Sequence, residues 1–183
     1  MLDLFRREWI DPPSGKSHDL GAPSFPAATP EGRPSDQQGL IGLAAFVQRN
    51  RPRYLCYARA RLLDEAASQA AVEATIAAIS GRWSDLLQNA RPSADAWRQL
   101  RTRIQSVSRA AGVPDSAVAR LYGDFAPDTA DTALLRWRLS MTTESIADLM
   151  GIDPPAVAAS LLTVQRHFPA TALRQLEQSP FRP

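Results

Sequence analysis

The sequence has few of the residue types from which metal and disulfide sites are built. It contains one cysteine, Cys56, and two histidines, His18 and His167, in 183 residues. A single cysteine excludes an internal disulfide and a cysteine-based zinc site. No run approaches the ~18 consecutive apolar residues of a membrane span, and the amino terminus lacks the apolar stretch of a signal peptide. We therefore expect a cytoplasmic protein with no metal, no cofactor and no membrane contact.

Catalytic motifs are also missing. The sequence has no glycine-rich phosphate loop and no histidine–carboxylate pair. The nearest carboxylate pairs are Asp64 with Glu65 and Glu144 with Asp148, and helix caps and solvated helix faces explain both. We predict that the protein is not an enzyme and has no small-molecule substrate.

Lysine is scarce, with Lys16 alone beside twenty arginines, and the charge is unevenly distributed. Residues 39–111 carry eleven basic and five acidic groups, or +6, whereas residues 127–183 carry five basic and six acidic groups, or −1. Attraction for a polyanion is therefore expected in the middle of the chain.

Proline divides the chain. Residues 1–38 are predicted to hold a short segment with Leu2, Phe5 and Trp9 at helical spacing, followed by a flexible Pro-rich linker. A short docking helix and a frayed terminus are both compatible with that segment, because a ten-residue helix is marginal in water.

Helical periodicity dominates from residue 39 onward, and no strand-like alternation occurs, so we predict an all-α fold. The pattern is interrupted or kinked at Pro52, resumes behind a cap at Asp64, and begins again at Pro92. Residues 39–111 are predicted to form one helical domain. Residues 112–126 are predicted to be a linker with a helical turn or two, and residues 171–183 a tail.

Residues 127–170 carry the clearest pattern, that of a helix-turn-helix. Thr142 or Thr143 is placed to cap a short helix, Gly151 to adopt the positive φ of the turn, and Asp153 to cap the next helix, with Pro154 at its first position. Two helices joined by this short turn make the motif that DNA-binding proteins use, although an ordinary helical hairpin has the same outline.

Two runs of this sequence resemble extracytoplasmic-function sigma factors of the sigma-70 family. The run LLRWRLSMTTESIADLMGI (residues 134–152) is similar to their −35-recognition domain, and FVQRNRPRYLCYARARL (residues 46–62) is similar to the first helix of their −10-binding domain. Ala96-Trp97-Arg98 with Leu100-Arg101 resembles the helix used against the −10 element. The resemblance implies two helical domains, a region-2-like bundle and a region-4-like helix-turn-helix, that bind core RNA polymerase and select promoters.

The resemblance also implies where partners bind. Gln69 and Glu73 occupy the positions of the polymerase-facing surface. The nucleic-acid or partner-binding positions of the region-2-like bundle are Arg49, Arg51, Arg53, Arg59, Arg61, Trp97, Arg98, Arg101 and Arg103. Stacking of Trp97 on an unpaired base is compatible with its type, and so is a place in the core.

The chain departs from the family at both functional surfaces. The stretch equivalent to the polymerase-binding helix keeps only Glu73 as a charged residue. The outward face of the second motif helix, where the family carries several cations, keeps only Arg166. That face consists of Pro155, Ala158, Ala159, Leu162, Thr163 and Arg166.

We therefore expect a sigma-like regulator with weakened promoter recognition, acting through RNA polymerase, a sigma factor or an anti-sigma factor. The alternatives are a functional sigma factor that binds promoter DNA and an unrelated helical interaction module. The sigma readings predict two separate bundles, and a single continuous bundle would count against the resemblance. The sequence leaves the oligomeric state open.

Overall fold

Helix α1 is the longest of the described elements, and much of its second half is buried whereas Leu40 and Ile41 near its start are exposed. The computed structural model describes residues 34–111 and 115–178, and α1 runs through Pro34–Leu62. It continues through Pro52, where the sequence predicts an interruption or a kink. An interior proline costs about 3 kcal/mol of helix stability, and burial of Tyr54 and Tyr57 directly after it opposes that cost.

The remaining described elements are eight α-helices of 6 to 20 residues and one π-helical segment. They are α2 (Glu65–Ser80), α3 (Trp83–Gln88), α4 (Pro92–Ala111), α5 (Ser116–Asp124), α6 (Pro127–Ala133), a π-helical segment (Leu134–Arg138), α7 (Thr143–Met150), α8 (Pro154–His167) and α9 (Ala170–Glu177). We refer to α1–α4 as the amino-terminal half and to α5–α9 as the carboxy-terminal half. The described residues contain no strand, which confirms the all-α prediction.

Side-chain caps fix where several helices begin. The carboxylate of Asp64 accepts from the amide of Ala67 at 2.9 Å, as predicted. Asp115 does the same for α5, where Oδ1 accepts from Ala117 at 2.8 Å and from Val118 at 3.2 Å. Each cap satisfies amides at a helix start that have no partner within the helix.

One hydrophobic core runs through both halves of the chain. It includes Tyr54 and Trp97 from the amino-terminal half and Ile146, Leu149 and Leu176 from the carboxy-terminal half, each 2% exposed or less. Contacts group the described helices into one unit. The predicted arrangement of two separate bundles is therefore not confirmed, because the apolar faces of the two halves cover each other.

Two segments contribute more to this core than the sequence suggests. Residues 112–126, predicted as a linker, contain α5, in which Val118 and Leu121 are fully buried. Residues 171–183, predicted as a tail, contain most of α9, in which Ala172 and Leu176 are buried. Both helices are amphipathic, and their apolar faces pack on the rest of the carboxy-terminal half.

A smaller cluster lies apart from the main core. Ile79, Trp83, Leu86 and Ala96 pack together, with Leu43 and Phe46 against them. The rings of Phe46 and Trp83 are 5.2 Å apart. This cluster holds the amino-terminal part of α1 to α3.

A buried carboxylate joins four helices. Asp131 of α6 is fully buried, and its Oδ1 accepts hydrogen bonds from the hydroxyl of Tyr57 on α1, at 2.5 Å, and from the hydroxyl of Tyr122 on α5. Arg101 of α4 lies 3.7 Å from its Oδ2. The guanidinium of Arg61 stacks on the Tyr122 ring, 3.5 Å from its centre. A charge removed from water in this way requires these partners.

Burial decides the ionisation of this network. It raises the pKa of Asp131 above its ordinary value, against hydrogen bonds from Tyr122 and Tyr57 and the positive charges of Arg101 and Arg61. Burial also raises the pKa of both tyrosines, so that they remain protonated donors.

A second, partly buried ion pair connects the start of α5 to the π-helical segment. Arg138, 3% exposed, donates to Oδ2 of Asp115 at 2.5 Å and to the carbonyl of Ala60 at 3.3 Å. Burial alone would raise the pKa of Asp115, but the hydrogen bonds from Arg138 and from two helix amides bring it below its ordinary value. The pair therefore connects α1 with two elements of the carboxy-terminal half.

The described helices can be compared with the length and hydropathy that a membrane span requires. None of them alone is long and apolar enough to cross a membrane, and the bent pair α7–α8 passes that test only when its two arms are taken together. The predicted amino-terminal helix and most of the Pro-rich linker, residues 1–33, lie outside the described residues.

Replacing Asp131 with alanine should destabilise the protein by about 3 kcal/mol or more, because two buried hydroxyls and a nearby guanidinium lose their acceptor. Asp131→Asn should cost less, since its amide oxygen still accepts from Tyr57 and Tyr122. Urea unfolding followed by circular dichroism measures both. Asp124→Ala is the matched control, because Asp124 is exposed and paired only with Arg120 in the same helix, and it should change stability by less than about 0.5 kcal/mol.

The pH dependence gives the same variants a second readout. Because the folded-state pKa of Asp131 is raised, its contribution to stability is fully present below the unfolded pKa, near 3.9, and is lost as pH rises through the folded value. The wild-type protein should therefore lose stability relative to Asp131→Asn as pH is raised. A difference that is independent of pH would contradict the assignment.

Candidate partner and nucleic-acid surfaces

Helices α7 and α8 lie where the sequence predicts a helix-turn-helix. The hydroxyl of Thr142 caps α7 by accepting from the amide of Ser145 at 3.2 Å. Gly151 ends α7 in the left-handed conformation, at φ 66°, and the chain turns through 113° into α8. That angle lies within the range of about 90–120° found in helix-turn-helix units. Pro154 is the first residue of α8 as predicted, but the side chain of Asp153 before it makes no cap hydrogen bond, so the predicted cap is not formed.

The turn of this motif packs against the start of α4. A Cβ atom built on Gly151 would lie 2.2 Å from the amide nitrogen of Ala94 and 2.7 Å from its Cα. Both atoms belong to the backbone, so a side chain at this position cannot be accommodated unless α4 moves. The motif is thereby seated on the amino-terminal half and is not suspended from a linker.

Ion pairs surround this contact. Instead of capping its own helix, the Asp153 carboxylate accepts from Arg91 at 3.1 Å. Asp148 of α7 accepts from two arginines of α1, Arg49 at 2.8 Å and Arg53 at 2.9 Å. A groove of about 470 Å³ lies between the start of α4 and the motif, with Glu144 also at its edge. All these carboxylates and arginines are at least partly exposed, so each pair contributes little stability but neutralises charge on both sides.

The outward face of α8 is exposed and almost uncharged. All six of its predicted positions are accessible to solvent, and Leu162, with 50% of its surface exposed, is one of the large exposed apolar residues of the described chain. Val157 and Val164 occupy the opposite, buried face. The helix offers a partner a surface of small and apolar side chains, with Arg166 as its cation.

Most of the arginines predicted to bind nucleic acid have intramolecular partners. Arg51 donates to Glu73 at 2.8 Å, and Arg59 donates to Glu65 at 2.6 Å. The remaining pairs are Arg49 and Arg53 with Asp148, Arg98 with Asp95, and Arg101 with Asp128 and Asp131. Arg61 is buried on Tyr122, whereas Arg103 is exposed. The predicted cationic surface is largely neutralised by carboxylates, several of them from the carboxy-terminal half.

Trp97 belongs to the core. It is 2% exposed, and its ring lies 4.5 Å from that of Tyr57 and 6.2 Å from that of Tyr54. A base could reach it only if the core opened, so the structure supports the core interpretation of this residue over stacking on DNA.

The predicted polymerase-facing surface is weakly charged. Gln69 is exposed on α2, and Glu73, the charged residue predicted to remain there, is held by Arg51. Both hydrogen bonds from Arg51 go to Oε1 of Glu73, and the Glu73 side chain remains 47% exposed. The described residues contain no group of three or more histidine, cysteine or acidic side chains arranged to hold a metal ion.

The buried networks around Asp131 and Asp115 were not identified from sequence. Each is formed by residues far apart in the chain, since Asp131 follows Tyr57 by 74 positions and Arg138 follows Ala60 by 78. A local pattern cannot reveal such pairs. The one signal in the sequence was that residues 39–111 carry a net positive charge and residues 127–183 a net negative charge.

Comparison with known proteins returned no match: neither a protein-family model, nor a curated protein, nor a solved structure is significantly similar to this chain.

Gly151→Ala should destabilise the protein by about 2 kcal/mol or more, since it adds a side chain at positive φ and against the Ala94 backbone. The matched control is Gly123→Ala on α5, where an added Cβ meets nothing within 4 Å. That variant should be neutral or up to about 1 kcal/mol more stable, because alanine is the better helix former. The midpoints of thermal unfolding of the two variants and the wild-type chain measure these effects. Equal stability of the two variants would contradict the seating of the turn on α4.

Proposed function

We propose that the protein is a sigma-like regulator of transcription initiation that acts through protein contacts and recognises promoter DNA weakly. Its partner would be core RNA polymerase, a sigma factor or an anti-sigma factor. The proposal rests on the resemblance of residues 46–62 and 134–152 to sigma factors, together with the surfaces that these residues present.

One observation carries the emphasis on protein contacts. Arg49 and Arg53, which the resemblance would assign to promoter DNA, both donate to Asp148 of the helix-turn-helix. Phosphate contacts supply most of the non-specific affinity for DNA, and arginines held by internal carboxylates contribute less to it. The face of α8 that would enter the major groove keeps only Thr163 and Arg166 as side chains that could hydrogen-bond to bases, since its other positions are proline, alanine and leucine.

A second candidate is a helical protein-interaction module unrelated to sigma factors. The shared core favours it, because Tyr54 and Trp97 pack into the same cluster as Ile146 and Leu149. A factor that reaches two promoter elements is expected to separate its two domains. This candidate predicts no contact with the transcription machinery.

Purified core RNA polymerase distinguishes the candidates. The full chain should bind the core enzyme, or a sigma or anti-sigma factor, and should alter initiation without supporting it alone. Pull-down and promoter-dependent transcription in a purified system measure the two properties. Robust initiation at a defined promoter would instead identify a functional sigma factor, and the absence of any such contact would leave the unrelated module.

Duplex DNA provides the second test. The full chain should bind DNA only as a weak, salt-sensitive background. Replacing Ala158 and Thr163 on the exposed face of α8 with arginine should raise the affinity and steepen its dependence on salt by about two phosphate contacts, as titration by fluorescence anisotropy would show. Tight, sequence-specific binding by the wild-type chain would refute the weakened recognition.

A further inference from the structure

The outward side of α8 carries a regular stripe. Pro155, Ala159, Leu162 and Arg166 are all exposed, and they follow one another at intervals of four, three and four residues. In a helix of 3.6 residues per turn these positions lie above one another, on the side opposite the buried Val157 and Val164. Contact positions in helices that pack side by side follow the same alternation of three and four residues.

We propose that this stripe is the contact surface of a weak dimer, in which α8 packs antiparallel against α8 of a second copy of the chain. The two-fold axis of the dimer would pass between the two helices, level with residues 160 and 161. Ala159 then faces Leu162 of the second copy, and Pro155 faces Arg166 of the second copy. This inference goes beyond the proposed function and does not depend on it.

A second copy fits this stripe because the stripe is complementary to itself in size. Leu162 extends from the surface with 50% of its area exposed, whereas Ala159 leaves a shallow place one turn earlier. The antiparallel register sets each leucine over the alanine of the other chain, twice by symmetry, and such alternation of large and small residues allows close packing. A parallel register would set leucine on leucine and alanine on alanine.

Charge supports the same orientation. Arg166 and His167 lie at the carboxyl end of α8, and Asp153 precedes its first residue. Antiparallel packing brings the arginine-bearing end of one helix to the acidic start of the other and opposes the two helix dipoles favourably. The Asp153 side chain stays 69% exposed although its carboxylate is paired with Arg91 at 3.1 Å.

The size of the stripe limits the affinity. Helix α8 has 14 residues and is therefore about 21 Å long. Two such helices bury less than the ~800 Å² per partner typical of stable complexes. The dimer should consequently be concentration-dependent and exchange rapidly with monomer.

Sedimentation velocity over a concentration series tests the assembly itself. The wild-type chain should shift from monomer to dimer as concentration rises. Ala159→Lys and Leu162→Glu should each raise the dissociation constant by about tenfold or more, because each sets a charge against an apolar side chain at both symmetric contacts. Both positions are exposed, so the thermal midpoints should remain near the wild-type value.

Mixing the two variants tests the register. In an antiparallel pair of one variant with the other, the introduced lysine faces the introduced glutamate, and the second contact keeps its original leucine and alanine. An equimolar mixture should therefore form a one-to-one heterodimer with near wild-type affinity. A wild-type dimer whose variants fail to rescue each other would refute this register.

Leu40→Glu is the matched control, since Leu40 is 66% exposed on α1 and lies outside the stripe. It should leave the association unchanged. A wild-type chain that remains monomeric at every concentration, or an association lost in Leu40→Glu and kept in Leu162→Glu, would overturn the proposal. These outcomes do not involve RNA polymerase, so they are separable from those that test the proposed function.

Discussion

The buried carboxylate of Asp131 is the constraint on which the arrangement of both halves depends. A carboxylate taken out of water is tolerated only while its partners are present, and those partners come from α1, α4 and α5. The apolar core holds the helices together without direction. The hydrogen bonds of Tyr57 and Tyr122 select one register among the ways in which those helices could pack.

The way the two halves pack together gives the abundance of arginine a structural explanation. The surplus of positive charge in residues 39–111 meets carboxylates of the carboxy-terminal half at Asp148, Asp128 and Asp153. The charge imbalance that suggests a polyanionic ligand is thus largely satisfied within the chain. The exposed pairs add little stability, but they reduce the attraction of both halves for outside charges.

Local features of the fold were predictable from sequence, and long-range ones were not. Periodicity, caps and glycine identified α2, α4, α7 and α8, because each signal acts within one or two turns. The sequence predicts residues 112–126 as a linker with a helical turn or two, and it does not predict the burial of α5, because proline and glycine mark turns without showing whether the helix between them is covered. Burial of Trp97 and Arg61 and the ion pairs of Arg101 depend on residues distant in sequence, so residue type alone left binding and core roles open for Trp97 and did not reveal the partners of the two arginines.

The hydrogen bond from Tyr57 to a residue 74 positions later has a consequence for synthesis. A ribosome adds about 5–20 residues each second, so the acceptor emerges roughly 4–15 s after the donor. When the acceptor emerges, Tyr57, and Trp97 made 40 residues after it, still lack the later helices of the carboxy-terminal half that complete their core. The nascent amino-terminal half therefore keeps apolar surface exposed until the carboxy-terminal half has been made.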